Sequence, residues 1–248
     1  MVSQFNESDE AILRHVLRYR LTTLHILSCS EILALSEAEI ADRLERLVSL
    51  GLLASAPLIT GYDEPKYFYL TEAAAISLGQ GITVAKPLKV DARAEWFAVA
   101  SFCCCGDTVR ELFTKEEFQT QFKHLWFVGQ PVRYYLEPGD DGVVRLAFIK
   151  VDTGGPGQWD RLIDSCQRFL HQRTTPDKVA KAFRDKVSAY ASMVEQGRFQ
   201  ISILTALPEK QRAIALELER RRLKEPPAPP IKAYVVPGLL EVLHPRPR

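Results

Sequence analysis

The chain has 248 residues, of which 46% are hydrophobic and 25% are charged, and its formal net charge is +1. This composition is typical of a folded globular protein, and it excludes a disordered chain or a strongly basic coat for nucleic acid. The charge is unevenly distributed, because residues 1–90 hold 8 basic and 11 acidic side chains, whereas residues 161–224 hold 14 basic and 7 acidic ones. Contact with a polyanion is therefore expected from the second half of the chain.

The sequence carries no signal of export or of membrane insertion. The N-terminus is polar and acidic, and the most apolar stretch, Trp96 to Cys105, is too short to span a bilayer. The five cysteines include three consecutive ones, which suits neither a disulfide framework nor the ligand spacing of a zinc site. We therefore expect a cytoplasmic protein with no membrane partner and no cofactor, whose cysteines are small buried residues.

The first 80 residues predict three helices, a β-hairpin and a closing helix. Apolar side chains recur at helical spacing, Ser36 and Glu39 form a capping box, and turn residues separate two short β-rich runs. The expected elements are helices at 8–19, 24–28 and 36–50, strands at 52–58 and 66–70, and a helix at 72–78. This order is typical of a winged helix-turn-helix module over residues 1–80, with the third helix in the recognition position.

Such a module contacts DNA through its recognition helix and its hairpin. The candidate DNA-binding side chains are Thr22, Thr23, His25, Arg43, Arg46 and Lys66. Carboxylates accompany them, because Arg43 and Arg46 each follow an acidic residue by four positions and the hairpin tip contains Asp63 and Glu64. Since carboxylates repel phosphate, two interpretations stay open: DNA contact, and a winged helix used for dimerisation or for docking a partner.

A linker is expected at residues 81–91, and an α/β domain at residues 92–248. Helices and strands are mixed along this second domain. The expected elements are helices at 92–105 and 114–122, strands at 126–136 and 142–151, helices at 159–173 and 177–196, a strand at 199–207, a helix at 209–224 and a strand at 231–236. The fold class of the whole chain is therefore α+β, with a mixed sheet in the second domain.

The most informative segment of this domain runs from Pro138 to Gly154. An acidic turn at Asp140-Asp141-Gly142 leads into a strand that ends in Lys150-Val151-Asp152. In restriction-endonuclease-like folds, an Asp at a strand start and a carboxylate-x-Lys pair at a strand end hold Mg²⁺ and activate a water for phosphodiester hydrolysis. Asp141, Lys150 and Asp152 are therefore the candidate catalytic residues. A simpler interpretation is an ordinary turn, with Lys150 and Asp152 as a surface pair.

The winged-helix pattern, the Asp-Gly turn, the Val-Asp-x-Gly strand end and the stretch Lys186-Val-Ser-Ala-Tyr190 resemble the replication-relaxation family of plasmid and integrative-element proteins. This resemblance implies a winged helix followed by a restriction-endonuclease-like domain, and a relation to a class of plasmid mobilisation relaxases. The family pattern resembles Glu-x-Asp where this chain has Lys150-Val151-Asp152. Because the lysine removes a negative charge from the metal site, we expect the domain to keep its fold and to lose its catalysis.

Basic helices in the second domain fit contact with double-stranded DNA. The candidate DNA-binding residues there are Arg161, Arg168, Lys181, Arg184 and Lys186, and the run Arg220-Arg221-Arg222 lies near the end of the last helix. We expect a homodimeric DNA-binding protein of a mobile genetic element that acts in transfer, replication or transcription control. Two alternatives stay open: a DNA nickase that uses Mg²⁺ as its cofactor, and an assembly factor in which both domains dock proteins.

Overall fold

The computed structural model describes residues 6–30, 33–106, 108, 110–127, 132–139, 141–155, 157–175, 184–224 and 231–244. The fold mixes α-helices with β-sheet, in the chain order α1 (Glu7–Tyr19), α2 (Leu24–Cys29), α3 (Glu37–Ser49), β1 (Leu53–Pro57), β2 (Lys66–Leu70), α4 (Glu72–Ser77), α5 (Val90–Cys104), α6 (Lys115–Gln121), β3 (Tyr134–Pro138), β4 (Val144–Val151), α7 (Trp159–Thr174), α8 (Arg184–Glu195), β5 (Phe199–Thr205), α9 (Pro208–Lys224), β6 (Ile231–Val235) and α10 (Leu239–Leu243). Two compact units result: unit 1 comprises residues 1–109 and 237–248, and unit 2 comprises residues 110–236. None of the described helices is both long enough and apolar enough to cross a bilayer.

Side-chain caps begin the helices of unit 1. The predicted capping box is confirmed at α3, where Ser36 accepts a hydrogen bond from the Glu39 backbone N–H and Glu39 accepts one in return. At α1 the cap is Asn6, whose side chain accepts from the Asp9 N–H at 2.8 Å. Asn6 takes this role because its backbone is extended and its amide oxygen reaches the third following N–H.

The core of unit 1 lies among α1, α3 and the hairpin. Most of the apolar residues predicted for these helices are buried, although Leu50 at the end of α3 is exposed. The core contains Ile12, Leu13, Val16, Leu27, Ile40, Leu44, Leu47, Leu53 and Leu70. Each such side chain stabilises the fold by about 1.5–3 kcal/mol relative to full exposure. Strands β1 and β2 pair antiparallel from Leu53↔Leu70 to Pro57↔Lys66, and Thr22 adds an antiparallel bridge to Phe68.

Helix α5 belongs to unit 1, whereas the sequence places it at the start of the second domain. The run from Phe97 to Cys104 is buried residue by residue, and α5 contacts α1, α2 and α10. A helix that is apolar on all sides needs partners around its whole circumference, which neighbours in unit 1 supply. The segment expected to be a linker is also attached there, because the Leu88 N–H donates to the Tyr67 hydroxyl and Arg20 donates to the Thr83 carbonyl.

A buried histidine in α1 makes the stability of unit 1 depend on pH. His15 is 2% exposed, and its Nε2 lies 3.1 Å from the Thr22 hydroxyl, which itself donates to the Thr23 carbonyl. Its Nδ1 is buried and has no hydrogen-bond partner among the described residues. Burial, helped by the charge of Arg18, lowers the pKa of His15 from 6.5 to about 4.

Lowering the pH from about 7 to about 5 is expected to reduce the free energy of unfolding by about 2 kcal/mol through His15 alone. The sign follows from the lowered pKa: the unfolded chain binds a proton below pH 6.5, whereas the folded chain excludes it until about pH 4. Urea denaturation of the full chain at both pH values measures the difference. The His15→Gln variant should lose this component, and an unchanged pH dependence in that variant would contradict the assignment.

The sheet of unit 2 has the order β3-β4-β5-β6 and is mixed, which confirms the sequence prediction of a mixed sheet. Strands β3 and β4 are antiparallel because a short turn joins them. Strands β4, β5 and β6 are parallel, and helices α7, α8 and α9 form the crossovers that parallel pairing requires. Of the predicted strand at 126–136, the described residues 126, 127, 132 and 133 lie outside β3, which begins at Tyr134.

One face of this sheet packs against helices. The buried side chains there include Tyr134, Leu146, Phe148, Ile163, Cys166, Tyr190, Phe199, Ile201 and Ile214. Tyr134 and Tyr190 share a hydrogen bond between their hydroxyls at 3.0 Å, which satisfies both polar atoms in an apolar environment. The opposite face is also buried and mixes apolar side chains with paired polar groups: Arg110 pairs with Glu137 at 2.8 Å, and the Tyr135 hydroxyl lies 2.7 Å from Ser202 Oγ.

Candidate nucleic-acid interface

The two arginines predicted to contact DNA from α3 are turned toward α1. Asp9 is fully buried, and its carboxylate lies 3.1 Å from Arg43 Nη1 and 3.2 Å from Arg46 Nη1. These pairs replace the in-helix pairs with Glu39 and Asp42 that the sequence predicts. Glu39 is engaged elsewhere, because hydrogen bonds from Ser36 lower the pKa of its carboxyl group and hold it in the capping box. Arg43 and Arg46 therefore neutralise the buried Asp9 and link α3 to α1 within unit 1.

The other predicted contacts of unit 1 are also largely engaged. Thr22 is fully buried, and Thr23 caps α2 by accepting from the Ile26 N–H at 3.1 Å. Lys66 Nζ lies 3.1 Å from a carboxylate oxygen of Glu64. His25 is exposed on α2, with its ring next to the Cys29 thiol. The structure brings Thr23, His25 and Lys66 together along one groove of unit 1, but most charged side chains that line this groove with them are acidic.

An apolar groove of about 950 Å³ runs beside α3 in unit 1. Ala41, Leu44 and Val48 of α3 line it, together with Phe68 of β2 and Phe97 of α5. Its charged lining residues are Glu37, Glu45, Glu64, Lys66 and Glu241. Acidic groups outnumber basic ones here, so phosphate is repelled from this side of α3.

The three predicted catalytic residues do not form one site. Asp141 lies in the turn before β4, whereas Lys150 and Asp152 lie at the far end of that strand. The eight residues of β4 separate its two ends by about 23 Å. The prediction of one site was wrong because the turn of an antiparallel hairpin lies at one end of the second strand, and the carboxyl end of that strand is the other end. Asp141 instead binds Arg145, whose hydrogen bonds lower its pKa to about 2.

Asp152 is occupied by a buried ion pair. Its carboxylate lies 2.6 Å from Lys210 Nζ, and it also accepts hydrogen bonds from the Thr205 hydroxyl and the Gly154 N–H. Lys210 in turn donates to the Gly155 carbonyl at 2.8 Å. Asp152 thus holds the loop after β4 against α9, and its partner is Lys210 rather than Lys150. A carboxylate neutralised in this way is a poor ligand for Mg²⁺.

A cavity of about 430 Å³ in unit 2 gathers positive charge between α7 and the sheet. Four of its lining side chains are cationic, namely Arg133, Lys150, Arg168 and Arg173, and none of its described lining residues is acidic. Ser165 and Gln172 add neutral hydrogen-bonding groups to the lining. No hydrogen bond or ion pair joins the side chain of Lys150 or Arg168 to another described residue. Lys150 and Arg168, which the sequence assigns to different roles, therefore lie in one site.

Aromatic rings hold one cation of this cavity in place. The Arg173 guanidinium lies 4.7 Å from the Phe127 ring centroid and 5.1 Å from that of Phe169. Phe169 stacks on Phe148 of β4 at 4.5 Å. Neither Arg173 nor Arg133 is among the predicted DNA contacts, although the spacing of Phe169 and Arg173 by four residues on a helix is a visible signal for such a contact. Arg133 precedes β3 and had no comparable signal.

The remaining predicted DNA contacts of unit 2 have mixed outcomes. Arg161 on α7 and Arg184 on α8 are exposed, and Lys186 donates a hydrogen bond to the Trp126 carbonyl. Lys181 lies outside the described residues. The run Arg220-Arg221-Arg222 is ion-paired with Glu217, Asp164 and Glu219, so much of its charge is balanced locally.

The chain has no match among protein-family profiles, curated proteins or solved structures. The function of the cavity lined by Arg133, Lys150, Arg168 and Arg173, called the basic cavity below, is therefore inferred from its geometry and charge. Four cations around one cavity repel each other, and the repulsion is relieved when an anion enters. Phosphate is the biological anion that arginine and lysine bind most readily.

Proposed function

We propose that the protein binds DNA by its phosphodiester backbone at the basic cavity of unit 2 and does not cleave it. The observation that carries this proposal is the set of four cationic side chains around a cavity without an acidic described lining residue. Phosphate contacts of this kind supply sequence-independent affinity. The separation of Asp141 from Asp152, and the pairing of Asp152 with Lys210, argue against a Mg²⁺-dependent nickase.

A polymer fits the surface better than a single phosphate does. One side of α7 presents four polar residues at successive spacings of four, three and four, namely Arg161, Ser165, Arg168 and Gln172. Arg161 and Arg168 are about 10 Å apart along the helix axis. A strand of phosphates can therefore continue from the cavity along α7, whereas an isolated phosphate uses the cavity alone.

In this proposal, unit 1 is a winged helix whose recognition helix does not contact DNA, because its arginines Arg43 and Arg46 pair with Asp9. Supporting observations are the order α1-α2-α3-β1-β2-α4 and the bridge between Thr22 and Phe68. Unit 2 is proposed as a restriction-endonuclease-like domain that has lost its metal-binding positions. The role in transfer, replication or transcription control of a mobile element follows from the resemblance of the sequence to the replication-relaxation family.

Duplex binding that weakens steeply with salt is the result expected of the full chain. Three or four phosphate contacts predict a slope of log K against log salt of roughly −3, and a loss of affinity of roughly a hundredfold between about 50 and 200 mM salt. Fluorescence anisotropy with a labelled duplex of random sequence measures both. Supercoiled plasmid should stay intact with Mg²⁺ or Mn²⁺. Unchanged anisotropy at the lowest salt, or metal-dependent nicking, overturns the proposal.

A further inference from the structure

Three side chains with metal-binding donor atoms lie together in unit 1. His25 and Cys29 are four residues apart on α2, and Cys105 directly follows α5. Their donor atoms all lie within 4.8 Å of one another. The Cys29 Sγ is 3.7 Å from His25 Nε2 and 3.8 Å from His25 Nδ1. The spacing of His25 and Cys29 by four residues on one helix is a local signal, but nothing local places Cys105 beside them, because it follows a helix far away along the chain.

These distances suit a tetrahedral zinc site. Zn–S bonds of about 2.3 Å and Zn–N bonds of about 2.0 Å place the donor atoms of such a site roughly 3.6–3.8 Å apart. Side-chain rotations can close the remaining gap, because His25 is exposed and both Cys29 and Cys105 are half-buried. An imidazole with two thiolates is a soft donor set that favours Zn²⁺ over Mg²⁺ or Ca²⁺.

The neighbouring cysteines have different surroundings. Cys103 and Cys104 are buried, and Cys104 hydrogen-bonds to Tyr19. Within the described part of the chain, no fourth His, Cys, Asp or Glu belongs to the cluster. Three protein ligands at a partly exposed position leave a fourth place for water, which is a common arrangement around zinc.

We propose that His25, Cys29 and Cys105 bind one Zn²⁺ ion with water as the fourth ligand. Binding releases the two thiol protons to solvent, and the imidazole coordinates in its neutral form. Because α2 and α5 pack against each other in unit 1, the ion links two helices that are already in contact. The ion therefore stabilises unit 1 without a large rearrangement. This site belongs to unit 1, so its test is independent of DNA binding by unit 2.

One equivalent of Zn²⁺ is expected to stay bound to the full chain after chelator treatment, reduction, reloading and gel filtration. Saturating Zn²⁺ should raise the melting temperature by roughly 5 °C. Co²⁺ in place of zinc should give the charge-transfer absorption of thiolate ligands. Cys29→Ser and Cys105→Ser should each weaken Zn²⁺ binding by roughly two orders of magnitude.

His25 is exposed, so its replacement leaves the core of unit 1 unchanged. His25→Ala should lose affinity as the cysteine variants do, while His124→Ala, an exposed histidine of unit 2, and Cys103→Ala should bind Zn²⁺ as the unaltered chain does. Reduced protein that retains no zinc overturns the proposal. Equal zinc affinity of the His25→Ala and His124→Ala variants also overturns it. The same holds if Cys29 and Cys105 form a disulfide in air but bind no Zn²⁺ when they are reduced.

Discussion

The double variant Lys150→Glu/Arg168→Glu is expected to lose duplex binding at physiological salt. Two of the four cavity cations disappear, and two carboxylates take their place opposite the phosphates. The dissociation constant should rise by roughly a hundredfold or more, and the remaining salt dependence should be less steep by about two units of slope. The fold should tolerate the change, because each new carboxylate lines the same cavity as the cations Arg133 and Arg173.

Net charge alone could weaken DNA binding, so the control reverses two other cations of unit 2. Lys115 in the first turn of α6 and Lys123 after α6 are both exposed and lie outside the cavity. Lys115→Glu/Lys123→Glu changes the net charge by the same amount, and an acidic group suits the N-terminal turn of a helix. Anisotropy titrations of both double variants show whether the loss of DNA affinity depends on the cavity or on net charge alone. Equal losses of affinity would show that the cavity has no special part in binding.

Elements with local signals could be predicted from the sequence. The α3 capping box and its apolar stripe are short-range patterns. The structure confirms the capping box and buries Ile40, Leu44 and Leu47 of the predicted stripe, whereas its fourth member, Leu50, lies at the C-cap and is exposed. The helix predicted at 209–224, which is observed as α9, and the turn between β3 and β4 are further cases. Such patterns depend on neighbours within one helical turn or one hairpin, so a single sequence contains the information they need.

Side-chain partners that lie far apart in sequence could not be predicted. Arg43 has an acidic residue four positions before it, yet it binds Asp9 on another helix. Asp141 and Asp152 are a different case, because the predicted strand at 142–151 already separates them, and the likeness to a nuclease motif was given more weight than this local information. The cluster of Cys29 with Cys105 depends on how α2 packs against α5. For Arg43 and for the cysteine cluster, the deciding contact is a tertiary one.

Removing the buried ammonium of Lys210 is expected to destabilise unit 2 strongly. The Lys210 side chain is 1% exposed and that of Asp152 is 7% exposed, so Lys210→Met leaves a carboxylate buried without its counter-charge. The loss should be about 3–5 kcal/mol in the free energy of unfolding, measured by urea denaturation. The Thr205 hydroxyl and the Gly154 N–H still donate to Asp152, but neither carries a charge.

The double variant Asp152→Asn/Lys210→Met separates a structural role of Asp152 from a catalytic one. It removes both charges while the amide oxygen can still accept from Gly154, so it should be more stable than Lys210→Met alone. Asp152→Asn by itself should also destabilise the fold, because the Lys210 ammonium then lies buried without its ion-pair partner. A carboxylate kept for metal chemistry behaves differently: its removal costs activity and leaves stability unchanged or improved. Equal stability of Asp152→Asn and the unaltered chain would therefore restore the case for a metal site at the end of β4.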